Sequence, residues 1–161
     1  MLILNSGGTF NKRYNKLNGE LEVAFDNNAL DEILSNCSFD YSLAGAVYKD
    51  SLEMDFDDRK MLADIIRESN ETEFIVIHGT DTMDLTAEFF DELFKDITIV
   101  LIGAMRPFEI DKVEASLNFG IGIGFIQANP KKGVYISMNG YVKEYNMLEK
   151  NRSKGKFEIV R

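Results

Sequence analysis

The chain has 161 residues, is 45% hydrophobic and 28% charged, and carries a formal net charge of −9. That length supplies one domain with a core of its own, and the acidic balance argues against partners rich in phosphate, nucleic acid or an anionic membrane. A single cysteine, Cys37, and a single histidine, His78, offer neither an intrachain disulfide nor the usual zinc set, and no apolar run reaches the roughly 18 residues of a membrane-spanning helix.

Leu2-Ile3-Leu4 opens the chain as a buried strand that runs into Gly7-Gly8. It lacks a basic leader and is too short for a secretory signal, so with the lone cysteine it suggests a cytoplasmic protein. From Asp26 to Leu34 the apolar residues Ala29, Leu30, Ile33 and Leu34 fall on one helical face. Ser42 to Tyr48 reads as the second strand. Asp57 to Glu68 is a helix with Met61, Leu62, Ile65 and Ile66 inward. Its neighbouring carboxylates Asp55, Asp57 and Asp58 suit the positive end of a helix more simply than a metal. Phe74 to Ile77 is the third strand, ending at His78-Gly79, and Asp84 to Phe94 the third helix. Ile97 to Ile102 is the fourth strand, ending at Gly103; Ser116 to Gln127 is the last helix and Gly133 to Met138 the fifth strand. The tail from Lys143 to Arg161 is polar and weakly periodic, and no element is assigned to it. Strands with little polar alternation, separated by helices, predict a single three-layer αβα domain over residues 1–161. Its sheet is mostly parallel and flavodoxin-like, with about five strands.

Ligands of such sheets bind beyond the carboxyl ends of the strands, which selects the loops beginning at Gly7, Lys49, His78, Gly103 and Asn139. The first reads Ser6-Gly7-Gly8-Thr9, where two glycines let the backbone turn tightly and present a hydroxyl. Read plainly, it is only a turn. The third reads His78-Gly79-Thr80-Asp81-Thr82-Met83, two hydroxyls and a carboxylate between a strand and a helix. Thr80 or Asp81 could equally cap that helix, and His78 reads as a packing residue. The run Gly120-Ile121-Gly122-Ile123-Gly124 lacks the third-glycine spacing and the preceding strand of a dinucleotide fingerprint; it reads instead as a helix packed closely on the sheet.

Taken together, Gly7-Gly8-Thr9 and His78-Gly79-Thr80-Asp81-Thr82-Met83 resemble the two signature motifs of the L-asparaginase family. Gly103-Ala104-Met105-Arg106-Pro107 and Asp50-Ser51-Leu52-Glu53-Met54 resemble two further motifs, in order, each after a strand. The resemblance covers nearly the whole chain but only the amino-terminal domain of the family, with no carboxy-terminal domain expected. It implies cleavage of the side-chain amide of asparagine, with glutamine or a related small amide as other substrates, through a threonine nucleophile and without a cofactor or metal. By that likeness Thr9 is the nucleophile, and Thr80, Asp81 and Lys150 form a proton relay, Lys154 and Lys156 being the fallbacks for the lysine. Asp81 would hold the substrate's α-amino group and Asp50-Ser51 its α-carboxylate. Amides near Thr80 and the main chain at Ala104 would stabilise the oxyanion. The Met105-Arg106-Pro107 segment reads as architectural.

Three features depart from the family. Leu52 stands where many members carry a polar residue, the family's loop tyrosine is missing, with Tyr14 the nearest substitute, and no second domain is expected. Two alternatives to the hydrolase therefore stay open: a non-catalytic binding module for aspartate or asparagine, and one half of a split or degenerate enzyme. The expected partners are a small-molecule amino-acid amide and further copies of the chain in a homo-oligomer.

Overall fold

The computed structural model describes residues 1–160. In chain order, β1 (Leu2–Gly7) leads through a 3₁₀ turn (Thr9–Asn11) to the hairpin of β2 (Lys12–Asn15) and β3 (Glu20–Val23). Next come α1 (Asn28–Leu34), β4 (Ser42–Lys49), α2 (Phe56–Glu68), β5 (Glu73–Ile77) and α3 (Met83–Leu93). The chain continues with β6 (Thr98–Ile102), α4 (Lys112–Gln127), β7 (Gly133–Met138) and β8 (Tyr141–Glu144), then a 3₁₀ turn (Tyr145–Met147) and the hairpin of β9 (Leu148–Asn151) and β10 (Lys156–Ile159).

The main sheet has the order β4-β1-β5-β6-β7-β8. Its first five strands are parallel, in the 2-1-3-4-5 arrangement of flavodoxin-like sheets when only these are counted. The sixth, β8, runs antiparallel to β7 and adds one edge strand to the expected five or so. It follows from Asn139-Gly140, both at positive φ (51° and 86°), the two-residue turn that twists a hairpin correctly.

Side chains alternate across the sheet. Leu2, Leu4, Phe74, Val76, Ile99, Leu101, Val134 and Ile136 pack beneath α2 and α3; Ile3, Ile75, Ile77, Val100, Ile102 and Tyr135 pack beneath α1 and α4. The period of two along strands buried on both faces explains why they read as unbroken apolar runs. The tail is more structured than its composition suggests: Leu148 and Phe157, one from each strand of the β9–β10 hairpin, are buried in the α2–α3 side of the core. Asp55 caps α2 and closes a reciprocal box with Asp58, which accounts for the acidic cluster. Helix α4 begins a turn earlier than expected, with the Asp111 carboxylate accepting from Val113 N–H. Among the described residues, no helix is long and apolar enough to cross a membrane.

Candidate active site

The strand order reverses between β1 and β5, and the loops leaving these two strands meet at their carboxyl ends. Gly8 makes that meeting possible. A Cβ there would lie 2.3 Å from Gly79 N, and its φ of 70° suits a residue without a side chain. Gly79 in turn lies against the β4 loop, where an added Cβ would come within 2.7 Å of Ser51 Oγ. The half-buried Thr9, Ser51 and the Thr80-Asp81 pair are thereby gathered at one edge of the sheet, each presented by a different strand end. Gly103, after β6, borders the same cluster, since a Cβ there would approach Thr80 Cγ2 to 2.9 Å.

Lys150 reaches this cluster from the tail. Its Nζ donates to Thr80 Oγ1 and to Asp81 Oδ1, both at 2.9 Å, and its side chain is only 15% exposed. The fallback lysines lie elsewhere, Lys154 and Lys156 both facing Glu158. Arg152, two residues further along the same hairpin, also grips Asp81: Nη1 donates to Oδ1 at 2.5 Å and Nη2 to the carbonyl oxygen at 3.1 Å. One carboxylate oxygen therefore serves two cations. Sequence reasoning missed Arg152, which lies just past the end of β9 in the turn that leads to β10.

Ser51 is buried. Its hydroxyl oxygen accepts from Asp81 N–H at 3.1 Å and from Thr82 N–H at 3.4 Å, while its carbonyl accepts from the Thr82 hydroxyl at 2.8 Å. Two amides near Thr80 that the sequence offers to an oxyanion are thus engaged by Ser51. Asp50 pairs with Lys12 of the β2–β3 hairpin at 2.6 Å. Burial pushes the Asp50 carboxyl up, but hydrogen bonds from Lys12 and Leu52 N–H, with the charges of Lys12 and Lys150, outweigh it and hold the group below the usual range. Leu52 is exposed at the rim. Tyr14 is also exposed, on β2, with its N–H bound to Glu109 rather than to the cluster.

Ala104 is buried among the residues under α4. The following turn is held by Glu114, whose carboxylate accepts from Met105 and Arg106 N–H, consistent with an architectural part for that segment. Behind the cluster, His78 is fully buried, with Nδ1 2.8 Å from Gly79 O and Nε2 2.9 Å from Thr86 Oγ1. Arg59 of α2 completes this support by donating to Thr86 Oγ1, Thr82 Oγ1 and the Met54 carbonyl at 3.0–3.1 Å. Neither the Arg59 bracket nor the Lys12 clasp is visible as a motif. Among the described residues, no group of three or more histidine, cysteine or acidic side chains could hold a metal ion.

Comparison with known proteins identifies the family and the fold. Residues 1–157 match the family model described as Asparaginase, N-terminal. A component of the glutamyl-tRNA(Gln) amidotransferase of Methanococcus maripaludis is 34% identical over 146 residues, which are 86% of this chain and 34% of that protein. L-asparaginase 2 of Escherichia coli is 36% identical over 72 residues, 43% of this chain and 21% of that one. Among solved structures, the thermostable L-asparaginase of Thermococcus kodakarensis superposes with a TM-score of 0.83 at 18% identity, over 99% of this chain and 50% of its own. The chain therefore spans about a third of the length of the amidotransferase component and half that of the solved asparaginase. With its motifs in order and the family model matched almost from end to end, the chain belongs to the asparaginase family, through that family's amino-terminal domain.

Proposed function

We propose that the chain hydrolyses the side-chain amide of asparagine or a related small amide, releasing ammonia, with Thr9 as nucleophile. The observation that carries this reading is Lys150 Nζ, 2.9 Å from both Thr80 Oγ1 and Asp81 Oδ1 and mostly withdrawn from water. A hydroxyl attacks an amide slowly unless a base stands ready for its proton. A lysine shared between a hydroxyl and a carboxylate supports a relay in which the Lys150 amine takes a proton through Thr80 while Asp81 compensates the resulting ammonium.

In the first half-reaction Thr9 Oγ bonds to the amide carbon, the C–N bond breaks, and the nitrogen leaves as ammonia with the proton that the hydroxyl gave up. Water then adds to the ester, and its proton returns to Thr9 as the acid departs. Asp81 would receive the substrate's α-ammonium and the Asp50-Ser51 segment its α-carboxylate. The backbone at Ala104 would face the developing oxyanion. The test is ammonia release from asparagine, glutamine and succinamate by purified protein, with Thr9→Ala and Lys150→Met as controls. Turnover that both substitutions abolish supports the reading; no turnover at saturating amide rejects it.

A second reading, a binding module for aspartate, rests on the exposed Leu52 and on Tyr14, which is exposed and bound to Glu109 rather than to the cluster. It predicts aspartate binding without turnover.

A further inference from the structure

Lys150 lies on a hairpin that stands outside the main sheet, so something must fix where its amine falls. Leu148 and Phe157 bury apolar side chains in the core, which sets the depth of the hairpin. Apolar packing is non-directional and leaves the lateral position of the hairpin open. Among the described residues, one hydrogen bond besides those to Thr80 and Asp81 ties the hairpin to the rest of the domain: Phe157 N–H donates to Asn139 Oδ1 at 2.8 Å. Phe157 is also the residue that faces Lys150 across the β9–β10 ladder. Its amide points away from β9, as in the closer, non-hydrogen-bonded kind of antiparallel pair, so a shift of Phe157 passes directly to Lys150.

Asn139 is itself held. It lies in the β7–β8 turn at φ 51°, a conformation that asparagine tolerates, and its N–H donates to Asn118 Oδ1 at 3.0 Å. Asn118, within α4, is 1% exposed. Its Nδ2 donates to the Gly103 carbonyl at 3.0 Å and lies 3.6 Å from Met138 Sδ, so both ends of the amide are engaged and its orientation is fixed. A buried amide satisfied in this way is a rigid anchor. One branch from it runs to Gly103, next to the Ala104 backbone, and the other runs through Asn139 and Phe157 to Lys150. The oxyanion side of the cluster and its relay amine therefore hang from one side chain.

On the hydrolase reading above, we propose that Asn139, fixed by Asn118, positions Lys150 for proton transfer. Asn139 acts at one remove, through Phe157, and takes no part in the transfer itself.

The test compares Asn139→Gly, which keeps the positive-φ turn and deletes only the acceptor, with Asn139→Asp, which keeps both. Ser137→Ala is the structural control: it removes a buried hydrogen bond of 2.7 Å to the Asn118 carbonyl and leaves the Asn118 side chain and Asn139 unchanged. Far-UV circular dichroism verifies that each variant is folded at the assay temperature. Trace acetylation with acetic anhydride, read by mass spectrometry, reports the reactivity of Lys150, withdrawn from water in the wild type, against that of Lys60, exposed on α2. Lys150 should react several-fold faster in Asn139→Gly, and at the wild-type rate in Asn139→Asp and Ser137→Ala. In ammonia release, kcat of Asn139→Gly should fall about 10- to 100-fold with KM little changed, and Asn139→Asp should recover most of it. Hydrogen exchange checks the wild type itself, where Phe157 N–H should be protected although it lies outside the ladder. A freely exchanging Phe157 amide overturns the proposal, as does wild-type labelling of Lys150 in Asn139→Gly or equal loosening in Ser137→Ala. A wild type without turnover rejects the hydrolase reading, and the labelling and exchange patterns then decide by themselves whether Asn139 holds the lysine.

Discussion

Lowering the pH tests the buried support behind the cluster, because His78 is the only histidine in the chain. Its pKa is brought down to about 4 by burial first, with the Arg59 guanidinium adding, against the hydrogen bond to Gly79 and the charges of Asp84 and Asp50. The folded state therefore holds a neutral ring, Nδ1–H donating to the Gly79 carbonyl and Nε2 accepting from the Thr86 hydroxyl. The unfolded chain takes up a proton below about pH 6.5 and the folded chain does not until about pH 4, so stability falls as pH drops through that window. A shift of this size amounts to about 3 kcal/mol in all, with a slope approaching 1.4 kcal/mol per pH unit. Asp50 and Asp58, whose folded pKa values are lowered, lose their contributions at still lower pH. Urea unfolding between about pH 7 and pH 4.5 should show the decline, and His78→Gln, which cannot titrate, should remove it. NMR of the single imidazole supplies the direct check. A ring that titrates near pH 6.5 in the folded protein, or equal slopes in wild type and His78→Gln, would refute the reasoning.

Lys150→Met keeps an apolar stem and removes the ammonium, so ammonia release should fall about 10²- to 10⁴-fold; a loss below tenfold would count against the relay. The same variant should still fold, because Arg152 continues to compensate Asp81. Gly8→Ala forces a Cβ to 2.3 Å from Gly79 N at positive φ and should cost about 3 kcal/mol or more, seen as a drop in Tm of roughly 6–12 °C. Arg152→Gln frees Asp81 for an incoming ammonium. KM for asparagine should fall several-fold, while KM for succinamate, which has no α-amino group, should not move.

The five parallel strands are legible because each is buried on both faces and therefore reads as an apolar run. The β2–β3 hairpin is not: Lys12 to Asn15 and Glu20 to Val23 lie at the surface, where no buried face imposes an alternation. The β9–β10 hairpin is hidden for another reason. It anchors through one deeply buried apolar side chain per strand, Leu148 and Phe157, which is too few to set up a period. The Asn139-Gly140 pair that produces β8 does carry a hairpin signal, but the strand it opens is short and polar. The early start of α4 is masked by apolar residues on both of its faces. At the site, the glycine-flanked hydroxyls are legible from their place after the strands, and Lys150 from the family resemblance. Arg152 and Arg59 act across 71 and 23 residues of chain, on Asp81 and Thr82, and surface arginines carry no local mark of such reach.

On the proposed hydrolase reading, the geometry also says which step would be demanding. The cleft bounded by Thr80, Asp81, Lys150 and Arg152, which neither Thr9 nor Ser51 lines, has a volume of about 80 Å³. That is room for two or three waters, against roughly 300–1,000 Å³ in ligand sites that enclose their occupant. An amino-acid amide bound beside Thr80 would therefore remain largely open to solvent, flanked by an exposed Leu52 that offers no hydrogen bond. Its ammonium would have to share Asp81 with two cations that are already covalently part of the chain, at high effective concentration. The relay groups, by contrast, are assembled: Lys150 is in place, Ser51 fixes the Thr80 loop, and the glycine contacts hold the loops together. Preorganised chemistry with weak capture would make a hydrolase of this design limited by KM rather than kcat. Any element that covers the open side or draws Arg152 away from Asp81 would then raise kcat/KM through substrate binding, without altering the groups that transfer the proton.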